Sequence, residues 1–230
     1  MRITALLTGR GGSSLKDKNV IKILNKPVLA YPCEESKKEK KIDNYFVSSD
    51  DKKILNTAYK YGFEKIKRPK YLSKANSKHH DVLKHSLKEL DKINLCPDIL
   101  VVLLANAPII YSKWIEDCIK ILIKKKASAV VPVVKDNDKH PLRAKKISKN
   151  YLNTFINSKK KISSNRQDLE NCYFLCHNFW VIRTQAIIDN KGLNPWNFMG
   201  PKVLPYLVPH SHDIHTEFDL KICKLLLEKN

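Results

Sequence analysis

Through the first 135 residues, short apolar runs alternate with stretches whose apolar positions recur at helical spacing. The runs Ile3–Thr8, Tyr45–Ser48, Glu64–Lys67, Ile99–Leu104 and Ala129–Val134 read as strands. Between them, Val28–Lys38, Asp50–Tyr61, Lys78–Leu90 and Lys113–Lys126 read as helices. In the last of these, Trp114, Ile115, Cys118, Ile119, Leu122 and Ile123 form one apolar stripe. Ile99–Leu104 has no polar alternation, as expected of a strand covered on both faces. Strand–helix alternation of this kind predicts an α/β fold: a mostly parallel central sheet flanked by helices, with crossover connections.

The rhythm breaks at about residues 140–172, where the chain is polar, lysine-rich and dotted with aromatics. A connection this long is unusual inside a compact domain. Leu152, Phe155 and Ile156 make it read as a small arm or insert that packs against something. Regular structure resumes with Phe174–Arg183 and a strand near Val203–Val208. Thr216 followed by Asp219 has the form of a helix N-terminal cap before Leu220–Leu227. Residues 1–230 are therefore read as one domain carrying an insert.

In open α/β sheets, ligands sit beyond the carboxyl ends of the strands. Gly9–Asn19, Ser48–Asp51, Ala105–Pro108 and Ser211–Thr216 all fall there. The first, "GRGGSSLKDKN", satisfies neither the dinucleotide fingerprint nor the P-loop spacing. It offers flexible backbone that can turn its N–H groups inward, with Arg10, Lys16 and Lys18 as cations. That chemistry suits a triphosphate or pyrophosphate; the plainer alternative is a glycine turn beside solvated lysines.

Composition narrows the classes. The 230 residues are 43% hydrophobic, enough to bury a sizeable core. A net charge of +20 invites a nucleic-acid reading, but only six of the 43 basic residues are arginines and the lysines are spread along the chain. Base readout favours the planar arginine fork, so no nucleic-acid partner is expected. The six cysteines contain no CxxC pair and read as small buried thiols. Ile99–Ala105 is far too short to span a bilayer, and the amino terminus leads into a strand and a charged loop. The expectation is a cytoplasmic protein with no membrane partner.

Five segments then resemble, in order, the motifs of the acylneuraminate cytidylyltransferases (CMP-sialic acid synthetases). "GRGGSSLKDKN" is similar to A-R-G-G-S-K-G-x-x-x-K-N, and "YFVSSDDKKI" to V-S-T-D-D-x-x-I. "RPKYLSKANSKHHDVL" resembles an R-P-x-x-L stretch closed by D-V-(I/L). "NRQDLENCYFLCHNFWVIR" resembles R-Q-D-L-x-x-x-Y…N-G-x-x-Y-I, and "HDIHTEFDL" resembles D-I-D-T-x-x-D-L. The resemblance covers nearly the whole chain. It implies transfer of CMP from CTP to the anomeric hydroxyl of an acidic keto sugar, with magnesium as cofactor and a homodimer as the working form. It further implies that Arg10, Gly11, Gly12, Ser13, Lys18 and Asn19 wrap the triphosphate, and that Arg68, Ser77 and Lys78 lie near base and ribose. Asn106 would face the sugar. Arg166 and Gln167 would contact it across the dimer, and Asp213 with His215 would hold the metal.

The departures fall at chemically important positions. One aspartate of the D-I-D pair is replaced by His215, and magnesium prefers carboxylate oxygen to imidazole. The turn after the central strand reads "LANAP", with Leu104 where the family has a sugar-holding glutamine. The first loop is about one residue short. A catalytically silent homologue that binds nucleotide or sugar, or a relative using another nucleotide, remains open as an alternative. Asp50 and Asp51 read as helix-start acids and not as metal ligands.

Overall fold

The computed structural model describes residues 1–12, 15–158 and 162–228. In chain order the elements are β1 (Ile3–Thr8), β2 (Lys22–Ile23), β3 (Lys26–Pro27), α1 (Ala30–Lys37), β4 (Asn44–Ser49) and α2 (Lys52–Lys60). Next come β5 (Glu64–Lys67), α3 (His79–Asp91), β6 (Ile99–Leu104), α4 (Ser112–Lys124), β7 (Ala129–Lys135), β8 (Lys145–Ser148) and β9 (Tyr151–Thr154). The chain ends with β10 (Tyr173–Leu175), β11 (Phe179–Arg183), α5 (Thr184–Asp189), β12 (Val203–Leu207) and α6 (Glu217–Glu228).

β6, β1, β4 and β5 run parallel side by side, joined through crossover helices, as the alternation predicts. Every residue of β1 is buried, because helices cover both faces of the sheet. One core layer packs α1, α2 and α4 against one face through Leu29, Ile54, Phe63, Ile115 and Ile119. The other packs α3 and α5 through Leu83, Leu87, Ile187 and Trp180. Local chemistry sets the helix starts. Asp51 Oδ1 accepts from Lys53 N at 2.6 Å, and Glu35 Oε2, reaching from α1, accepts from Ser112 N at 2.8 Å. Thr216 and Asp219 form a reciprocal capping box at α6 (Thr216 N to Asp219 Oδ2, 2.7 Å; Asp219 N to Thr216 Oγ1, 3.3 Å).

The sheet departs from simple parallel order at β11, which lies antiparallel between β6 and β7. The cause is topological. The chain leaves β7 at the sheet's carboxyl end, and the insert returns it at that same end with no crossover helix. The next strands, β10 and β11, must therefore run backwards against β7. After α5 the chain crosses over again, and β12 pairs parallel to β7.

Within the insert, β8 and β9 form an antiparallel hairpin whose turn residues Lys149 (φ 50°) and Asn150 (φ 66°) are both left-handed. Its apolar side chains do not fold back on the sheet: Ile147 is 78% and Leu152 74% exposed.

Candidate active site

A cavity of about 510 Å³ opens beyond the carboxyl ends of β1, β5 and β6. The loop after β1 forms one wall, and close approach shapes it. A Cβ on Gly9 would lie 2.9 Å from Ala105 Cβ, and Gly12 takes φ +63°. Buried Asn19 holds the loop closed by donating from Nδ2 to Arg10 O at 3.1 Å. Asp50 Oδ1 accepts from Gly11 N at 3.1 Å, and Asp51 caps α2, so both carboxylates serve structure.

Four cations line the cavity: Arg10, Lys18, Arg68 and Lys74. Arg68 is 6% exposed and donates from Nε to Ser48 Oγ (3.2 Å) and from Nη2 to Ser48 O (2.6 Å). Among the described residues it has no carboxylate within 4.0 Å, and its remaining N–H donors have no protein acceptor. Burial pushes its pKa down to about 10; Asp50 opposes this and Arg10 reinforces it. The Lys18 ammonium is likewise pushed down, chiefly by burial, with Asp213 and Asp219 pulling it up and Arg10 pushing it further down. A buried, under-partnered cation sharing a cavity with three others calls for negative charge there.

Opposite them stands Asp213, the one carboxylate among the described lining residues. The turn after β6 and the segment before α6 are stitched together there. Ile214 N donates to Asn106 O (2.9 Å), and Asn106 Nδ2 donates to Ile214 O (3.1 Å) and Asp213 Oδ2 (3.3 Å). His215 Nε2 lies 2.6 Å from the same Asp213 oxygen. Among the described residues, no three His, Cys, Asp or Glu side chains cluster so as to cage a metal. One carboxylate fits magnesium in the manner that ion favours, held by a single acidic side chain while substrate oxygens and water complete its shell.

Two imidazoles complete the wall. His79 packs 5.1 Å from the Trp180 ring and keeps an edge towards the cavity, its Nε2 3.4 Å from Thr8 Oγ1. Burial, with Arg68 and His177 adding to it, pushes its pKa down to about 3, so it is neutral at physiological pH. His177 is also pushed down, chiefly by burial, with Asp213 partly offsetting. Of the adjacent His79-His80 pair, the sequence left open that one approaches a nucleotide; His177 was not a sequence candidate. His177 lies inside the motif segment "CHNFW", which was the available signal. His80 turns away, its Nε2 2.8 Å from Ile187 O.

The remaining candidates are placed variously. Ser77 lines the cavity, its hydroxyl donating to Tyr71 O and accepting from Lys74 N. Lys78 precedes α3 and faces a neighbouring groove. Gly11 and Gly12 line a shallow depression behind the loop with Asp50 and Asp51. Ser13 lies outside the described residues. Arg166 and Gln167 sit outside this chain's cavity, with Arg166 Nη1 2.5 Å from Asp138 Oδ2. All six cysteines are free thiols, four of them buried.

A mostly parallel sheet presenting a glycine loop, converging cations and one carboxylate at its carboxyl end defines a nucleotide-binding α/β protein. Residues 4–187 match the cytidylyltransferase family, and the chain belongs to that family. The pseudaminic acid cytidylyltransferase of Campylobacter jejuni (strain 81-176) is 25% identical over 234 residues, covering 100% of this chain and 98% of that protein. A Helicobacter pylori protein is 25% identical over 207 residues, 89% of this chain. Its name couples pseudaminic acid cytidylyltransferase with UDP-2,4-diacetamido-2,4,6-trideoxy-beta-L-altropyranose hydrolase, and the chain spans only 39% of its length. The solved structure of CMP:2-keto-3-deoxy-manno-octonic acid synthetase complexed with CTP superposes with a TM-score of 0.73 at 14% identity, covering 100% of this chain and 99% of that one. That likeness speaks to the fold.

Proposed function

We propose that the protein transfers the cytidylyl group of CTP to the anomeric hydroxyl of an acidic nonulosonic keto sugar. The anomeric oxygen attacks the α-phosphorus, the bond to the β-phosphate breaks, pyrophosphate leaves in line, and the hydroxyl proton passes to solvent. Such a reaction needs positioning and charge neutralisation more than covalent help. The observation that carries this reading is buried Arg68, converging with Arg10 and Lys18 on one cavity with donors unspent. Arg10 and Lys18 offset charge gathering on the leaving phosphates. Arg68, which follows β5 and donates to Ser48 of β4, holds the nucleoside side of the cavity it shares with Ser77, and Asn106 faces the sugar. Bound magnesium, held by Asp213 with His215 at its edge, would supply further charge neutralisation on the phosphates.

Pseudaminic acid, named in three relatives, is a sugar of the proposed class. The working form is a homodimer in the cytoplasm, where CTP is made. Support for the dimer comes from the exposed apolar hairpin and from Arg166 and Gln167, which lie outside their own cavity and would act in a partner's. A second reading, nucleotide binding without turnover, is favoured by one observation: Asn106 and His215 already engage Asp213 Oδ2.

One assay separates them. Pyrophosphate release is measured with CTP, magnesium and a panel of nonulosonic acids, alongside thermal shifts with CTP, UTP, GTP and ATP. Release with CTP and one of the acids is expected. A CTP thermal shift with no release from any acid would establish the silent homologue, and a larger shift with another triphosphate would overturn the choice of base.

A further inference from the structure

Beside the reaction cavity, and sharing Leu72, Lys74, Ser77 and His79 with it as a common wall, runs a second and larger groove of about 1570 Å³. None of the chemistry above uses it. One side is the outer face of α3. The other is the loop from Asn190 to Phe198.

Its charge is one-sided and regularly spaced. Five lysines (Lys74, Lys78, Lys84, Lys88 and Lys92) line it against two carboxylates, Asp81 and Glu89. Glu89 is taken up by Lys92 at 2.6 Å. Among the described residues, Lys74, Lys78, Lys84 and Lys88 have no carboxylate within 4.0 Å. Lys84, Lys88 and Lys92 recur every fourth residue, so they share one helix face with about 6 Å of rise between neighbours. A row of cations at that interval matches a ligand whose negative charges repeat. The open groove is also larger than the roughly 300–1,000 Å³ usual for pockets that enclose single small molecules.

The facing wall decides which polyanion. Asn76, Asn190, Asn194 and Asn197 bring four amides to the groove, and of these only the Asn197 amide is hydrogen-bonded to another described residue, donating to Gly192 O at 3.2 Å. The aromatic faces are mostly spent within the protein. Phe198 is buried and stacked on His80 at 6.0 Å, and Trp196 packs against His177 at 6.1 Å. Single-stranded nucleic acid needs open aromatic faces for its bases, and here only Tyr71, 65% exposed, offers one. Amides and hydroxyl-rich rings are natural hydrogen-bonding partners.

We infer that this groove binds an acidic polysaccharide chain, one carboxylate per sugar unit, with the α3 lysines reading the carboxylates and the asparagines the hydroxyl and N-acyl groups. The inference does not depend on which sugar, if any, the cavity activates. An enzyme holding such a chain beside its cavity would sense or stay near a polymer of acidic sugars.

The test is titration calorimetry of the full chain with a length series of linked N-acetylated sialic acid oligomers. Inorganic polyphosphate and a single-stranded DNA oligonucleotide serve as competing polyanions. Affinity should rise with oligomer length and exceed that for either competitor. It should fall at least tenfold in the double variant Lys84→Glu, Lys88→Glu and several-fold in Asn194→Ala, while the thermal shift with CTP stays unchanged in both. Absence of oligomer binding would overturn the inference. So would equal or tighter binding of polyphosphate or DNA, or loss with the lysine variant but none with Asn194→Ala, since each marks charge attraction alone.

Discussion

His79 should make the protein's stability fall steeply with acid, and the size of the effect follows from its surroundings. Its imidazole is crowded by Trp180 and Phe198 with the Arg68 guanidinium nearby, which lowers its pKa to about 3. An unfolded histidine titrates near 6.5. Between those values the unfolded chain binds a proton that the folded chain refuses, so stability rises with pH and is lost as pH falls. At pH 5 the unfolded side chain is almost wholly protonated and the folded one almost wholly neutral. From pH 7 to pH 5 the loss is therefore about 2 kcal/mol, from about 1.4 kcal/mol for each unit below the unfolded value. Because pH 5 lies above the folded value, the figure is insensitive to where near 3 that value falls. The perturbation is His79→Gln, whose amide can still reach Thr8 Oγ1 without titrating. Urea unfolding of wild type and variant at both pH values gives a double difference, in which other depressed histidines such as His85 and His177 cancel. The variant should lose about 2 kcal/mol less than wild type on acidification. Equal losses, to within about 0.5 kcal/mol, would refute the claim that His79 is held neutral by burial.

Three further outcomes are expected. Arg68→Met removes the buried fork, so CTP affinity by calorimetry should drop at least about tenfold, the worth of one charge-assisted hydrogen bond; a change under threefold would place the nucleotide elsewhere. Asp213→Asn should cut pyrophosphate release by about two orders of magnitude while the CTP thermal shift without magnesium persists; retained turnover would remove Asp213 from the chemistry. Thr216→Ala opens the α6 capping box and should cost about 1 kcal/mol, lowering the melting temperature by about 3 °C; an unchanged melting curve would mean that the Asp219 contacts alone hold the helix start.

Much of the fold was legible because its signals are local. β1, β5 and β6 begin and end where the sequence pattern places them, and α2 and α6 start at the acids and hydroxyls that cap them. The glycine turn carrying cations after β1 was legible too, since glycine spacing and neighbouring cations are written within eleven residues. Asp50 and Asp51 serve the loop and helix in the way their position after a strand suggests.

What the chain pattern could not reveal depends on residues brought together from afar. Nothing near Phe179 says that β11 will run antiparallel between β6 and β7; that follows from which end of the sheet the insert leaves and rejoins. Nothing near His79 says that its ring will be neutral, because the burial and the Arg68 charge that set its protonation come from other segments. Asn106 and Asp213 stand 107 positions apart, and only the packed turn shows that they share a hydrogen bond. By itself, the sequence determined the alternation of the main strands and helices, the capped starts of α2 and α6 and the residue types available for chemistry, since propensity, capping and apolar periodicity act over a few residues. The tertiary structure alone decided strand direction, protonation and which side chains meet at the cavity and the lysine groove, since those depend on distance in space and on local dielectric.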